Sequence, residues 1–330
     1  MSQPVPVPAP PISDPRLRDE ESPILGGGIG DRLYQAAITF FALCIPLLLA
    51  LIAIEIVVAA WPALREFGFG FLTSSEWDPV NDRYGALPAI YGTLVTSAMA
   101  LIIATPLALG VAIFLAEFSP PRLRQPLAFL VDLLAAIPSV VYGLWGIKVL
   151  VPLLREHVIP FIADTLGLKV LPLFAGPKYG VSMFAAGIIL AIMILPYISA
   201  VSREILLAVP RSQREAALAL GATRWEMIWG AVLPYAKSGI IGGIILGLGR
   251  ALGETMAVTL VIGNAPEISS SLFAPGYTMA SQIANQFNEA SGRMEPAALM
   301  ALGFVLFTIT LIVNGVARWL VWRVSRESRA

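Results

Sequence analysis

Arg250 and Glu254 are the only charged residues between Gly239 and Ala257, a stretch built otherwise from glycine, alanine and large apolar side chains. Arg250 lies about 11 residues into that stretch, near mid-membrane at a helical rise of about 1.5 Å per residue. An arginine there costs roughly 2.5–3.5 kcal/mol on insertion scales, so it is retained for a function or for a partner. Spacing i,i+4 sets Glu254 one turn away on the same helical face, close enough to pair. Three roles stay open: a structural ion pair, a gating pair that changes partners, and a site on an anion path with Glu254 tempering the arginine. The planar guanidinium fork suits a tetrahedral oxyanion, because it donates two parallel bonds. Gly247 and Gly253 would keep that face open.

Other chemistries find no residues. Cys44 is the only cysteine and His157 the only histidine, so a disulfide, a thiolate metal site and a histidine relay within the chain are excluded. There is no nucleophile–base set. Gly26-Gly27-Gly28-Ile29-Gly30 lacks the Lys-Ser/Thr that would follow a phosphate cradle, and reads as a flexible joint. Net charge is zero, which gives no general attraction for nucleic acid.

The elements that must position Arg250 are membrane spans. Fifty-seven per cent of the residues are hydrophobic and 13% charged, with mean hydropathy +0.78; soluble domains carry about a quarter charged residues. The chain reads as an all-α polytopic membrane protein with six transmembrane helices, near 36–60, 88–117, 127–154, 181–208, 238–263 and 297–322, each at or above the ~20 residues a bilayer requires. Gly239, Gly243, Gly247 and Ala251 recur every fourth residue, a small-residue seam for close helix contact. Pro106, Pro138 and Pro196 interrupt spans two, three and four, freeing carbonyls to line a cavity or only shaping the packing. Ser139 and Tyr142 share a face one turn apart, either toward a path or in interhelical hydrogen bonds. Asp132 calls for water or a basic neighbour.

An even number of spans puts both termini on one side. With both inside, inner segments hold 14 of the 22 Lys/Arg and outer loops seven, the bias of cytoplasmic loops. Residues 1–30 form a disordered cytoplasmic tail, without an apolar region of the kind a signal peptide carries. Residues 31–325 form the permease domain and 326–330 a short tail. The loop 61–87, rich in Trp and Phe, suggests an interfacial belt. The loop 264–296 has room for a short helix near 278–290, docking another protein or covering the bundle.

The polar segment 210–236 is where something outside the bilayer can push. Ser212 with Glu215 three residues on matches a capping box; Ala216, Ala217, Leu218, Ala219 and Leu220 favour helix, and Gly221 can end it with positive φ. A second helix over 223–233 is expected to stop at Pro234.

Glu215-Ala216-Ala217, Gly221 and Leu233-Pro234 fall at the spacing of the EAA loop of ABC import permeases, departing only at Ala231, where that pattern has isoleucine. Tyr84-Gly85-Ala86-Leu87-Pro88, Tyr91-Gly92-Thr93, Ala136 to Gly143 and Gly249 to Ala257 add further motifs in order. Together they resemble the PstC subunit of phosphate ABC importers over about residues 31–325. The resemblance implies a type I ABC importer permease fold and transport of inorganic phosphate across a bacterial inner membrane. It implies pairing with a PstA-type permease, two PstB-type ATPases and a PstS-type phosphate-binding protein. ATP and Mg²⁺ would act on the ATPases, with no cofactor or metal in this chain and no enzymatic activity of its own. Glu215, Ala216, Ala217, Gly221 and Arg224 would meet the ATPase; Arg250 and Glu254, with Ser139 and Tyr142, would line the substrate path.

Overall fold

The computed structural model describes residues 29–327. The expected tail 1–30 therefore lies outside the described residues, except that Ile29 and Gly30 already belong to the first helix; of 326–330, only 326 and 327 are described, at the end of the last.

In chain order the helices are α1 (Ile29–Phe67), α2 (Gly70–Thr73), α3 (Leu87–Ile113), α4 (Pro121–Ala136), α5 (Ser139–Trp145), α6 (Val151–Leu153), α7 (Met183–Ala208), α8 (Arg211–Ala219), α9 (Arg224–Met227), α10 (Leu233–Gly253), α11 (Met256–Val261), α12 (Met279–Gln286) and α13 (Met294–Glu327). A small antiparallel hairpin, β1 (Trp77–Asp78) with β2 (Arg83–Tyr84), lies between α2 and α3. Among the described residues, five helical stretches are long and apolar enough to cross a bilayer: Gly30–Phe67, Leu87–Phe118, Met183–Ala208, Arg224–Gly253 and Met294–Arg323. The bent pair Pro121–Ala136 and Ser139–Thr165 makes a sixth if counted as one span.

The chain divides into Met1–Glu55 and Ile56–Ala330. The described part of the first is helix, and its Leu33, Phe40, Phe41, Leu47 and Leu48 are all exposed; a helix apolar on every side is one that lipid surrounds.

In the second unit α7 is the central element. Ile189, Leu190, Ile194 and Ile198 of α7 are almost completely buried. Ala100, Ala104, Ala108 and Ala112 give α3 a fully buried small-residue edge, and at Gly187 a side chain would collide with Met99. On the other side the expected glycine seam of α10 meets α7 residue for residue. A Cβ on Gly239 would stand 2.6 Å from Ile205, on Gly243 3.1 Å from Val201, and on Gly247 2.7 Å from Ile198. Gly247 is thus consumed by packing, and the expectation that it opens the face beside Arg250 is corrected.

Two of the expected spans are broken. The third, 127–154, turns through 88° between Ala136 and Ser139. Pro138 forces Ile137 out of the helical region, to ψ 127°, because the ring crowds the residue before it. The fifth, 238–263, begins earlier and ends at Gly253; Glu254 is extended, with ψ 128°, before α11 starts. The two breaks meet, since Gly143 of α5 lies against Ala257 and Leu260 of α11.

The loop 264–296 folds onto the start of α3. Its short helix is α12, begun by a Thr278–Ser281 capping box. The Met279 N–H donates to Thr93 at 2.9 Å, and Tyr91 donates to the Ser269 carbonyl at 2.9 Å. A Cβ on Gly92 would lie 2.0 Å from the Tyr277 carbonyl oxygen, so only glycine fits there. Between α1 and α3, Tyr84 packs edge to face against both Trp77 and Phe67, the last residue of α1. Burial, with Glu295 and Asp82 nearby, pushes the Tyr84 phenol up to about 12.

Candidate functional site

The break at Pro138 leaves the last carbonyls of α4 without helical partners. Two tyrosines take them: Tyr142 donates to the Leu134 carbonyl at 2.8 Å, and Tyr197 of α7 donates to that of Ala135 at 3.3 Å. The Tyr197 ring then carries the Arg250 guanidinium, 5.0 Å from its centroid, a cation–π contact.

On its other side Arg250 approaches Glu254 at 3.8 Å, beyond hydrogen-bond length. The reason is the helix break. Glu254 is off the helix, buried, and its Oε1 accepts from the Ala257 N–H at 3.4 Å, capping the start of α11. The expected pair is therefore present at ion-pair distance, but with Glu254 extended beyond the end of α10 rather than one turn along it. The Arg250 Nε is buried and has no acceptor, while the side chain as a whole is 36% exposed. That exposed part faces a cleft of about 560 Å³ between α10 and α13, lined by Tyr197, Gly242, Gly249, Asn314 and Arg318 as well as Arg250. Ser139 opens α5 half-buried, and its hydroxyl is in no hydrogen bond with this group.

The second region is the knob over 210–236. α8 starts after Pro210 with no side-chain cap, so the capping box expected at Ser212–Glu215 is not formed. The box forms eleven residues on, where the Glu226 N–H donates to Thr223 and Thr223 donates back to the Glu226 carboxylate. Gly221 ends α8 with φ +86°. The helix does not stop at Pro234: a π turn over Ile228–Val232 joins α9 to α10, and a wider turn accommodates a ring with no N–H to give. Glu215, Ala216, Gly221 and Arg224 are exposed and Ala217 is half-buried. Leu218, Leu220 and Trp225 are exposed beside them, an apolar patch of the kind that marks an interaction site.

Residues 108–326 match the profile of the binding-protein-dependent transport system inner membrane components. The phosphate transport system permease protein PstC of Pasteurella multocida is 48% identical over 314 residues, covering 94% of this chain and 98% of its own. The chain belongs to the PstC permease family. The PstC of Mesorhizobium japonicum is 47% identical, covering 91% of this chain and 92% of its own, and PstC 2 of Mycobacterium tuberculosis 42%, covering 88% and 91%. A chain of the MetNI methionine ABC transporter, solved in inward-facing conformations, superposes with TM-score 0.53 at 17% identity, over 76% of this chain and all but 1% of that one. That likeness is one of fold, and the permease has the type I ABC importer architecture.

Sequence reasoning missed how the knob of this permease is fastened. Arg214 of α8 donates to the Glu117 carboxylate at 2.8 and 3.2 Å, to the Leu206 carbonyl at 2.7 Å, and to the Val209 carbonyl. One side chain thereby joins α8 to the π turn Phe114–Phe118 that continues α3 and to the end of α7. The signal was Glu117, a carboxylate at the end of an apolar run, but its partner lies 97 residues away. Asp132 finds the basic neighbour it called for, Arg203, at 3.6 Å.

Proposed function

We propose that this permease forms half of the translocation path of an ATP-driven importer of inorganic phosphate, and that Arg250 faces the passing anion. The observation that carries the reading is Arg250 itself: an arginine set in a long apolar span, loosely paired, with a buried unpartnered Nε and its exposed face on a cleft. Donors held in place but unspent are what a transient anion site requires, since a mid-membrane site that bound tightly would not release its cargo. The names of the relatives support phosphate as that anion.

The chain pairs with a homologous PstA-type permease. Two PstB-type ATPases carry ATP and Mg²⁺, and this chain binds neither and catalyses nothing. A PstS-type binding protein delivers phosphate from outside. Both termini and the knob face the cytoplasm, in accord with the Lys/Arg bias. Glu215, Ala216, Ala217, Gly221 and Arg224 meet an ATPase, supported by the exposed Leu218, Leu220 and Trp225 beside them. When the ATPases close they move α8. Arg214 passes that movement to α3 and α7, and the glycine seam passes it from α7 to α10 and Arg250. Glu254 and Tyr142 hold the broken helix ends on which Arg250 depends, and Ser139 sits at the same break.

Labelled phosphate uptake into proteoliposomes containing this chain, its partner permease and the ATPases, with binding protein outside and ATP inside, tests the reading. Uptake that requires ATP and resists excess sulfate or molybdate is expected. Competition by those anions would change the substrate, and uptake without ATP would point to a gradient-driven carrier.

A further inference from the structure

We propose that Asn314 and Arg318 of α13 form a second station for a phosphate-class oxyanion, in the cleft that Arg250 opens. The proposal rests on the reading of Arg250 as substrate-facing and extends it to residues outside every motif that carried the family likeness.

The cleft of about 560 Å³ is lined by two guanidinium groups, one amide and one phenol, with Gly242, Gly249 and large apolar side chains making the rest of the wall. Among the described residues no carboxylate lines it. Arg318 forms no ion pair and no ring contact among the described residues, unlike Arg323, which stacks on Trp319, or Arg214, which spends its donors on Glu117 and two carbonyls. Arg250, on the same cleft, also keeps an unpartnered buried Nε. Two like charges sharing an apolar cleft repel one another more strongly than they would in water. A dianion between or beside them removes that repulsion and accepts from both forks.

The spacing fits successive stations. A Cβ built on Gly249 would have the Asn314 Oδ1 as its nearest neighbour, at 3.9 Å, so the amide is level with the turn that carries Arg250. Arg318 follows one helical turn along α13, about 6 Å on. Gly242, two turns before Gly249 on α10, has nothing within 4 Å of the space a side chain would fill. The glycines leave room for a group the size of phosphate beside Asn314 and Arg318. The same chemistry would take either inorganic phosphate in transit or the phosphodiester headgroup of an anionic lipid.

The test uses the full chain assembled with its partner permease and ATPases in lipid nanodiscs, with and without phosphatidylglycerol. Binding of radiolabelled orthophosphate is measured for wild type, R318Q, R318K, N314D and R250Q, and retained phosphatidylglycerol is counted by mass spectrometry. Loss of one charge-assisted contact weakens binding by about tenfold or more. If the ligand is free phosphate, R318Q and the near-isosteric N314D each show that loss in both lipids, and R318K loses less than R318Q. If it is a lipid headgroup, orthophosphate binding is unchanged and both variants retain less phosphatidylglycerol. Co-purification of the partner subunits separates these results from misassembly. Orthophosphate binding within twofold of wild type together with unchanged lipid retention, in both R318Q and N314D, would overturn the proposal. Failure of the Arg250 reading shows separately, as R250Q binding orthophosphate like wild type.

Discussion

Arg214 and Arg250 are held in opposite ways, and the contrast separates fastening from function. Arg214 directs its fork to Glu117 and to the carbonyls of Leu206 and Val209, with both partners of the ion pair largely buried. Arg250 has a ring beneath it, a carboxylate just out of hydrogen-bond reach and an Nε with nothing to donate to. A cation with acceptors on each of its three nitrogens fixes geometry. One whose donors are partly unused is complete only when something else arrives.

The largest effect follows at Arg250. R250A is expected to lower phosphate uptake about a hundredfold, the scale of a lost hydrogen bond to a charged group, with subunit assembly intact by co-purification. R250K, which keeps the charge and loses the fork, should lose less.

At Arg214 the effect is expected in stability and coupling together. R214A leaves the Glu117 carboxylate buried and unpaired, which costs about 3–5 kcal/mol and is read as a lowered thermal midpoint of the complex. E117Q, which keeps a hydrogen-bond acceptor, should cost less. If R214A left both stability and uptake unchanged, the knob would be fastened by other contacts and the contrast would fail.

Smaller still is the seam that joins the two regions. G247A forces a methyl to within about 2.7 Å of Ile198, and such overpacking costs about 1–3 kcal/mol. G253A, with open space around it, is the control and should cost less by thermal denaturation of the same complex.

The smallest effect appears only in alkali. Tyr84 has its folded value raised from 10.0 to about 12, so its contribution is complete below pH 10 and is lost as pH rises from there through 12. Y84F should remove that part of the alkaline destabilisation, followed by fluorescence of the adjoining Trp77. An alkaline profile identical to wild type would mean that Tyr84 ionises without penalty.

The same comparison explains what could be read in advance. Apolar runs marked the spans because a bilayer needs length and hydropathy, and the Gly239–Gly243–Gly247 seam was visible because close packing requires small residues at helical spacing. Arg250 stood out because its cost in an apolar run is independent of its neighbours. What escaped depended on distant partners. Pro138 announced a bend, but an 88° turn is sustained by Tyr142 and Tyr197 donating to the freed carbonyls, one of them from another helix. The i,i+4 spacing gave the Arg250–Glu254 pair, but not the break after Gly253 that takes Glu254 off the helix. Ser212–Glu215 and Thr223–Glu226 both fit a capping box, and only the second helix start uses it.

The most direct measurement is labelled phosphate uptake into proteoliposomes by equal amounts of assembled wild-type and R250A complex, at saturating ATP and binding protein. Arg250 on the anion path predicts uptake by R250A about a hundredfold below wild type. Uptake within twofold of wild type would contradict it and return Arg250 to a structural role.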